Sequence, residues 1–136
     1  MSGRLPGMLF VALLLVPGCS APEKNHSDII QALAIRTTAL NSRDISGYMS
    51  VISPQYNDKG KNSVQLKVSL EKNFKDFEQL SYEAGTPSIT VDGTGAESVC
   101  IYRMKVRVRG KEMTLNGTEH LKMVNESGGW KIIAGI

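Results

Sequence analysis

Glu119 and Tyr102 are the residues of this chain best placed for chemistry, because the strand pattern around them turns both toward one apolar face. A carboxylate drawn out of water must find a partner or lose its charge, and a neighbouring phenol is a natural hydrogen-bond partner. Such a pair can act as general acid and base, or it can orient a ligand. The other candidates are weaker. His120 has outward parity, and His26 lies in a polar stretch near the N-terminus. None of Asp28, Asp44, Asp58, Asp76 or Asp92 falls on an inward position of the two longest strands. Cys100 points inward among apolar neighbours with no basic residue on its face, the setting of an inert packed thiol. Two histidines and two cysteines at unrelated spacings make no metal set, and no glycine-rich phosphate loop is present. No cofactor is expected.

These placements rest on an alternation of period two that begins near Leu80. It predicts strands over residues 82–84, 88–91, 96–109, 112–125 and 130–136, with turns at 85–87 and 92–95. Gly110-Lys111 suits a two-residue turn with glycine first. That turn pairs Arg109 with Glu112, Val106 with Leu115, Met104 with Gly117, Tyr102 with Glu119 and Cys100 with Leu121. A slip of one residue would bury Arg103, Lys105 and Arg107, which is prohibitive. A second turn over 126–129 pairs Met123 with Ile132 and Leu121 with Ala134, and it sets Trp130 on the inward face. Outward lies a basic row, Arg103, Lys105, Arg107 and Arg109, spaced by about 6.6 Å. Such a row is usually a solvated strand face. It also suits anionic headgroups or an acidic partner.

The earlier part of the chain reads as helix. A first helix is expected from an N-cap at Ser27 or Asp28 to about Leu40, with Ile30, Leu33, Thr37 and Leu40 on one face. After a break at 41–43, a short helix carries Ile45, Tyr48, Met49 and Ile52, and Pro54 ends it. Residues 55–58 suit a short strand and 59–61 a loop. A third helix, capped by Asn62 or Ser63, aligns Leu66, Leu70, Phe74 and Phe77. Helices first and strands afterwards is the order of an α+β domain.

Composition agrees with one ordinary domain. The chain has 136 residues, 41% hydrophobic and 21% charged. Aromatics at 6% argue against a base-stacking surface, and a net charge of +3 is too small to imply a nucleic-acid partner.

Arg4 is the only charge before Glu23, and residues 8–16 are unbroken apolar. Nine residues rise about 14 Å as a helix, far short of a bilayer core of ~30 Å, so the pattern is that of an export signal. Val16-Pro17-Gly18-Cys19 resembles the lipobox of bacterial lipoproteins. That resemblance implies that residues 1–18 are removed and that Cys19 carries a diacylglyceryl anchor to the membrane. Residues 19–26 would then be a lipidated cysteine and polar tether, leaving 27–136 as the domain. Ser20 after the cysteine favours the outer membrane, on its periplasmic face. With Cys19 lipidated, Cys100 has no disulfide partner.

The break from Leu40 into Tyr48, the Gln55-Tyr56-Asn57-Asp58 segment and the Gly128-Gly129-Trp130-Lys131-Ile132 ending resemble the nuclear transport factor two-like superfamily. That group includes ketosteroid isomerase, scytalone dehydratase and the polyketide cyclases. The resemblance implies three helices packed on a strongly curved antiparallel sheet, a cone-shaped, cystatin-like roll. It also implies a conical pocket, lined here by Tyr48, Cys100, Tyr102, Met104, Glu119, Leu121 and Trp130, and a homodimer through the sheet. Ketosteroid isomerase requires an aspartate base with acidic donors, and no inward aspartate matches it. The expected function is an envelope lipoprotein that binds a small apolar ligand or a partner protein. The alternative is a small isomerase or dehydratase that uses Glu119 and Tyr102.

Overall fold

The computed structural model describes Gly3 and residues 21–136, so the expected export signal and Cys19 lie outside the described residues. Helices α1 (Ala21–Ser42), α2 (Ile45–Met49) and α3 (Ser63–Asp76) come first. Asp44 caps α2 by accepting from the Gly47 N–H, and Asn62 and Gln65 cap α3 reciprocally, each side chain accepting from the other's backbone N–H. Between α2 and α3, β1 (Asn57–Asp58) and β2 (Lys61–Asn62) form a small ladder across a turn with Lys59 and Gly60 at positive φ.

The main sheet follows: β3 (Gln79–Ala84), β4 (Ser88–Asp92), β5 (Gly95–Val108), β6 (Lys111–Glu126) and β7 (Gly129–Ala134). All its pairings are antiparallel, in the order β3-β5-β6-β7, and β3 and β4 share the free edge of β5 end to end. The helices pack on this sheet in the α+β order that the pattern predicts and in the arrangement that the resemblance implies. At one end of the interface Tyr48, Val51 and Ile52 meet Met123, Trp130 and Ile132. A parallel bridge between Ile52 and Ile132 fastens the segment after α2 to β7.

Three expectations are corrected. Helix α1 begins at Ala21, where a polar tether was expected through His26. Pro22 stands in its first turn, where a missing N–H costs nothing. Asn25 accepts a hydrogen bond from the Trp130 indole at 3.4 Å, so this turn belongs to the folded unit.

The second correction concerns which face of α1 is buried. Ile29, Ala32, Arg36, Ala39 and Leu40 are in the core, so the helix is rotated about one residue from the stripe expected through Ile30, Leu33 and Thr37. Arg36, only 5% exposed, is the reason: a charge within an otherwise apolar stripe disguises it as a polar face.

The third is the register of the β5–β6 hairpin, which is displaced by two residues. Cys100 pairs with Glu119, Tyr102 with Gly117, Met104 with Leu115 and Val106 with Met113. The turn is Arg109-Gly110, with φ of 51° and 74°. Positive φ at both central positions matches the twist of the flanking strands but strains a non-glycine residue such as Arg109. Tyr102 compensates, because its ring lies over Gly117, 3.0 Å from where a Cβ would stand. A slip of two keeps every side chain on its face, so the expected inward and outward sets survive. The second hairpin pairs Met123 with Ile132 as expected, but a bulge at Lys122 sets Ala134 opposite Lys122, not Leu121. Helix α1 packs on β3, β4 and β7. Leu115, expected to be covered, is 43% exposed on the far part of the hairpin, as is Met113 at 46%.

Candidate functional site

Four elements contribute to one polar cluster around the Arg36–Glu119 pair. Arg36 lies on the buried stripe of α1, one turn before the Ala39-Leu40 contact with the core. Glu119 points to it from β6. The Arg36 Nη1 and Nη2 groups donate to Glu119 Oε1 and Oε2 at 2.7 and 2.8 Å, a bidentate pair. The Tyr82 hydroxyl of β3 donates to Glu119 Oε1 at 3.0 Å, and Arg36 Nε donates to the Tyr48 hydroxyl of α2 at 3.2 Å. The guanidinium carbon lies 5.5 Å from the Tyr48 ring centre and 5.6 Å from that of Tyr82, within cation–π range of both. Tyr82 in turn stacks on Tyr102 with ring centres 5.8 Å apart.

Burial works against the Arg36 charge, but Tyr48 and Glu119 outweigh it, so its pKa lies above the ordinary arginine value. Burial pushes the Tyr82 hydroxyl up to about 12, against an opposing pull from Arg36 and with the support of Glu119. The Cys100 thiol is also raised by burial, and it donates to the Gly85 carbonyl.

Beside this cluster a cavity of about 320 Å³ opens between α1 and the sheet. Ile30, Leu33 and Thr37, the stripe expected to face the core, form its helical wall. Pro87, Ser98, Cys100 and Leu121 form the sheet side, with Tyr82, Arg36 and Glu119 at the polar end. Of the residues expected to line a pocket, Cys100, Glu119 and Leu121 do so. Tyr48 and Trp130 are instead packed in the core, at 1% and 4% exposure. Tyr102 and Met104 pack against the core outside this lining.

The expected Glu119–Tyr102 pair is therefore replaced by Glu119 with Arg36 and Tyr82. Neither new partner stood out in the sequence. The available signal for Arg36 was its spacing of seven from Ile29 and four from Leu40, which puts a charge on an apolar face. For Tyr82 there was none, since its reach to Glu119 depends on how β3 pairs with β5. Proton transfer through this cluster meets two obstacles. Glu119 as acceptor must first break a bidentate pair, and a phenol near 12 is a weak acid at neutral pH.

The basic row lies on the outer face. Arg103, Lys105 and Arg109 are exposed, and Arg107 approaches Glu112 at 4.0 Å. Among the described residues no cluster of His, Cys, Asp or Glu could hold a metal ion, and no helix is long and apolar enough to cross a membrane.

No protein-family model matches this sequence, and no curated protein does either. Solved structures do. An NTF2-like superfamily protein from Salmonella enterica superposes with a TM-score of 0.75 at 17% identity, over 85% of this chain and 93% of that one. The Kfla4162 protein of Kribbella flavida gives 0.76 at 12% identity, over 84% and 89%. A Novosphingobium aromaticivorans protein provisionally named a scytalone dehydratase gives 0.72 at 14% identity, over 79% and 78%. The chain has the NTF2-like fold. At these identities the likeness speaks for the fold alone, which hosts enzymes and binding modules alike.

Proposed function

We propose that this chain is a cell-envelope lipoprotein, anchored through lipid on Cys19, whose domain binds a small apolar ligand in the cavity between α1 and the sheet. The observation that carries the binding reading is the rotation of α1. Ile30 and Leu33 form an apolar wall that the described residues cover only in part, beside a cavity of about 320 Å³. A half-buried apolar wall with a few convergent polar groups is the usual build of a small-molecule site. Binding is favoured over catalysis because Glu119, the one acid of the lining, is already held by Arg36 and Tyr82.

The anchor rests on the Val16-Pro17-Gly18-Cys19 pattern. The start of α1 at Ala21 would leave only Ser20 between the lipid and the first helix, holding the domain close to the outer membrane's periplasmic face. Native mass spectrometry of protein extracted from its own membranes tests both parts. A diacylglyceryl-modified Cys19 at a new N-terminus and a co-purified small molecule are expected, the latter lost in Ala34→Trp, which fills the cavity. An unmodified soluble product refutes the anchor, and wild type as empty as the filled variant refutes the binding. The same spectra read whether copies pair through the sheet, as the fold resemblance implies.

A further inference from the structure

We infer that the ligand is uncharged and carries a hydroxyl that donates a hydrogen bond to Glu119, an inference that rests on the apolar-ligand reading of the cavity. The lining contains one cation and one anion among the described residues, Arg36 and Glu119, and they neutralise each other at 2.7 and 2.8 Å. An anionic ligand would find no free cation there, since Arg36 is 5% exposed and both its Nη groups are turned to Glu119. An ammonium would have to shed its water against a carboxylate whose charge is already compensated, an unfavourable exchange.

The neutral possibilities separate by the direction of the hydrogen bond. The charged and phenolic donors of the lining are committed, Arg36 to Glu119 and Tyr48 and Tyr82 to Glu119, and the weak Cys100 thiol faces the Gly85 carbonyl. That leaves only the neutral hydroxyls of Thr37, Thr38 and Ser98, weaker partners than an ionised carboxylate. Acceptor capacity remains. A carboxylate offers about four lone-pair sites. Glu119 Oε1 receives two donors and Oε2 one, which leaves one site on Oε2. A ligand hydroxyl completes the set, with its apolar body along Ile30, Leu33 and Leu121 and the Ser98 hydroxyl in the same lining.

Four probes of one shape decide this with the full chain: 4-propylphenol, 4-propylanisole, propylbenzene and 4-propylbenzoate, titrated at pH 7 against backbone amide NMR signals of Leu33, Tyr82 and Leu121. The phenol is expected to bind about tenfold more tightly than the anisole or the hydrocarbon, and the benzoate most weakly. Binding of anisole or hydrocarbon as tight as that of the phenol, or tightest binding of the benzoate, overturns the hydroxyl assignment and leaves the ligand-binding reading standing. Absence of binding by all four overturns both. The paired variant Arg36→Met with Glu119→Leu removes the acceptor without leaving a lone buried charge. It should bind phenol and anisole equally, and a preference that survives there overturns the role of Glu119.

Discussion

The interface between helices and sheet is built in two ways at its two ends. Around Trp130, Ile132 and Met123, apolar side chains meet Tyr48, Val51 and Ile52, none more than 5% exposed, and backbone hydrogen bonds join Val51 and Ser53 to Ile132. Around Leu33, an equally apolar helix face meets a cavity, and a bidentate ion pair spans the gap beside it. The residue types are similar and the difference is in what crosses the interface. Backbone bridging draws the packed end shut. Arg36 and Glu119, long and rigidly paired, act as a strut between α1 and β6 beside the hollow end. Closing that end would mean compressing an already buried charge pair out of its 2.7 and 2.8 Å geometry.

Perturbing each end separately should separate the two modes. The largest effect is expected at the packed end. Trp130→Ala should lower unfolding free energy by about 3–5 kcal/mol in urea denaturation, the loss of a buried aromatic plus the void it leaves. At the hollow end, Glu119→Leu alone should cost about 3 kcal/mol, because Arg36 is then buried without its counter-charge. Adding Arg36→Met should restore most of that loss, since apolar replacements for a buried pair are often close to neutral. A double-mutant cycle that is additive would show that the strut is not a unit.

A smaller effect is expected from pH. The Tyr82 hydroxyl is raised from the ordinary 10 to about 12, so the folded state favours the protonated phenol. Its contribution is fully present below pH 10 and disappears as pH rises through about 12. Alkaline titration of stability should show a decline in that window, and Tyr82→Phe should flatten it. The smallest changes belong outside the comparison. Arg103→Ala and Lys105→Ala, on the solvated outer face, should each shift stability by less than about 0.5 kcal/mol. Losses like that of Trp130→Ala would mean that this face is buried.

Much of the packed end was legible. The Met123–Ile132 pairing and the inward Trp130 follow from alternation around the Ser127-Gly128 turn, and the Asn62 cap of α3 is visible in the chain. The hollow end was misread at its two decisive residues. The Glu119–Tyr102 pairing failed because a turn with glycine first looked cheaper than one with Arg109 at positive φ. Gly117 carried the corrective signal, as a strand glycine often marks the close approach of another group, here the Tyr102 ring.

By itself the sequence determined the order of elements, the N-cap of α3 and which side chains share a face of the sheet. Those follow from local periodicity, and a slip of one residue would bury the arginines and lysine of β5. A slip of two leaves the same faces and almost the same burial, so local pattern cannot choose between the two registers. Tertiary packing chose, by seating Tyr102 on Gly117. The buried face of α1 lay likewise beyond local pattern. Arg36 can enter the core only because Glu119, 83 residues later, meets it there, and that meeting exists only once β6 has taken its place in the sheet.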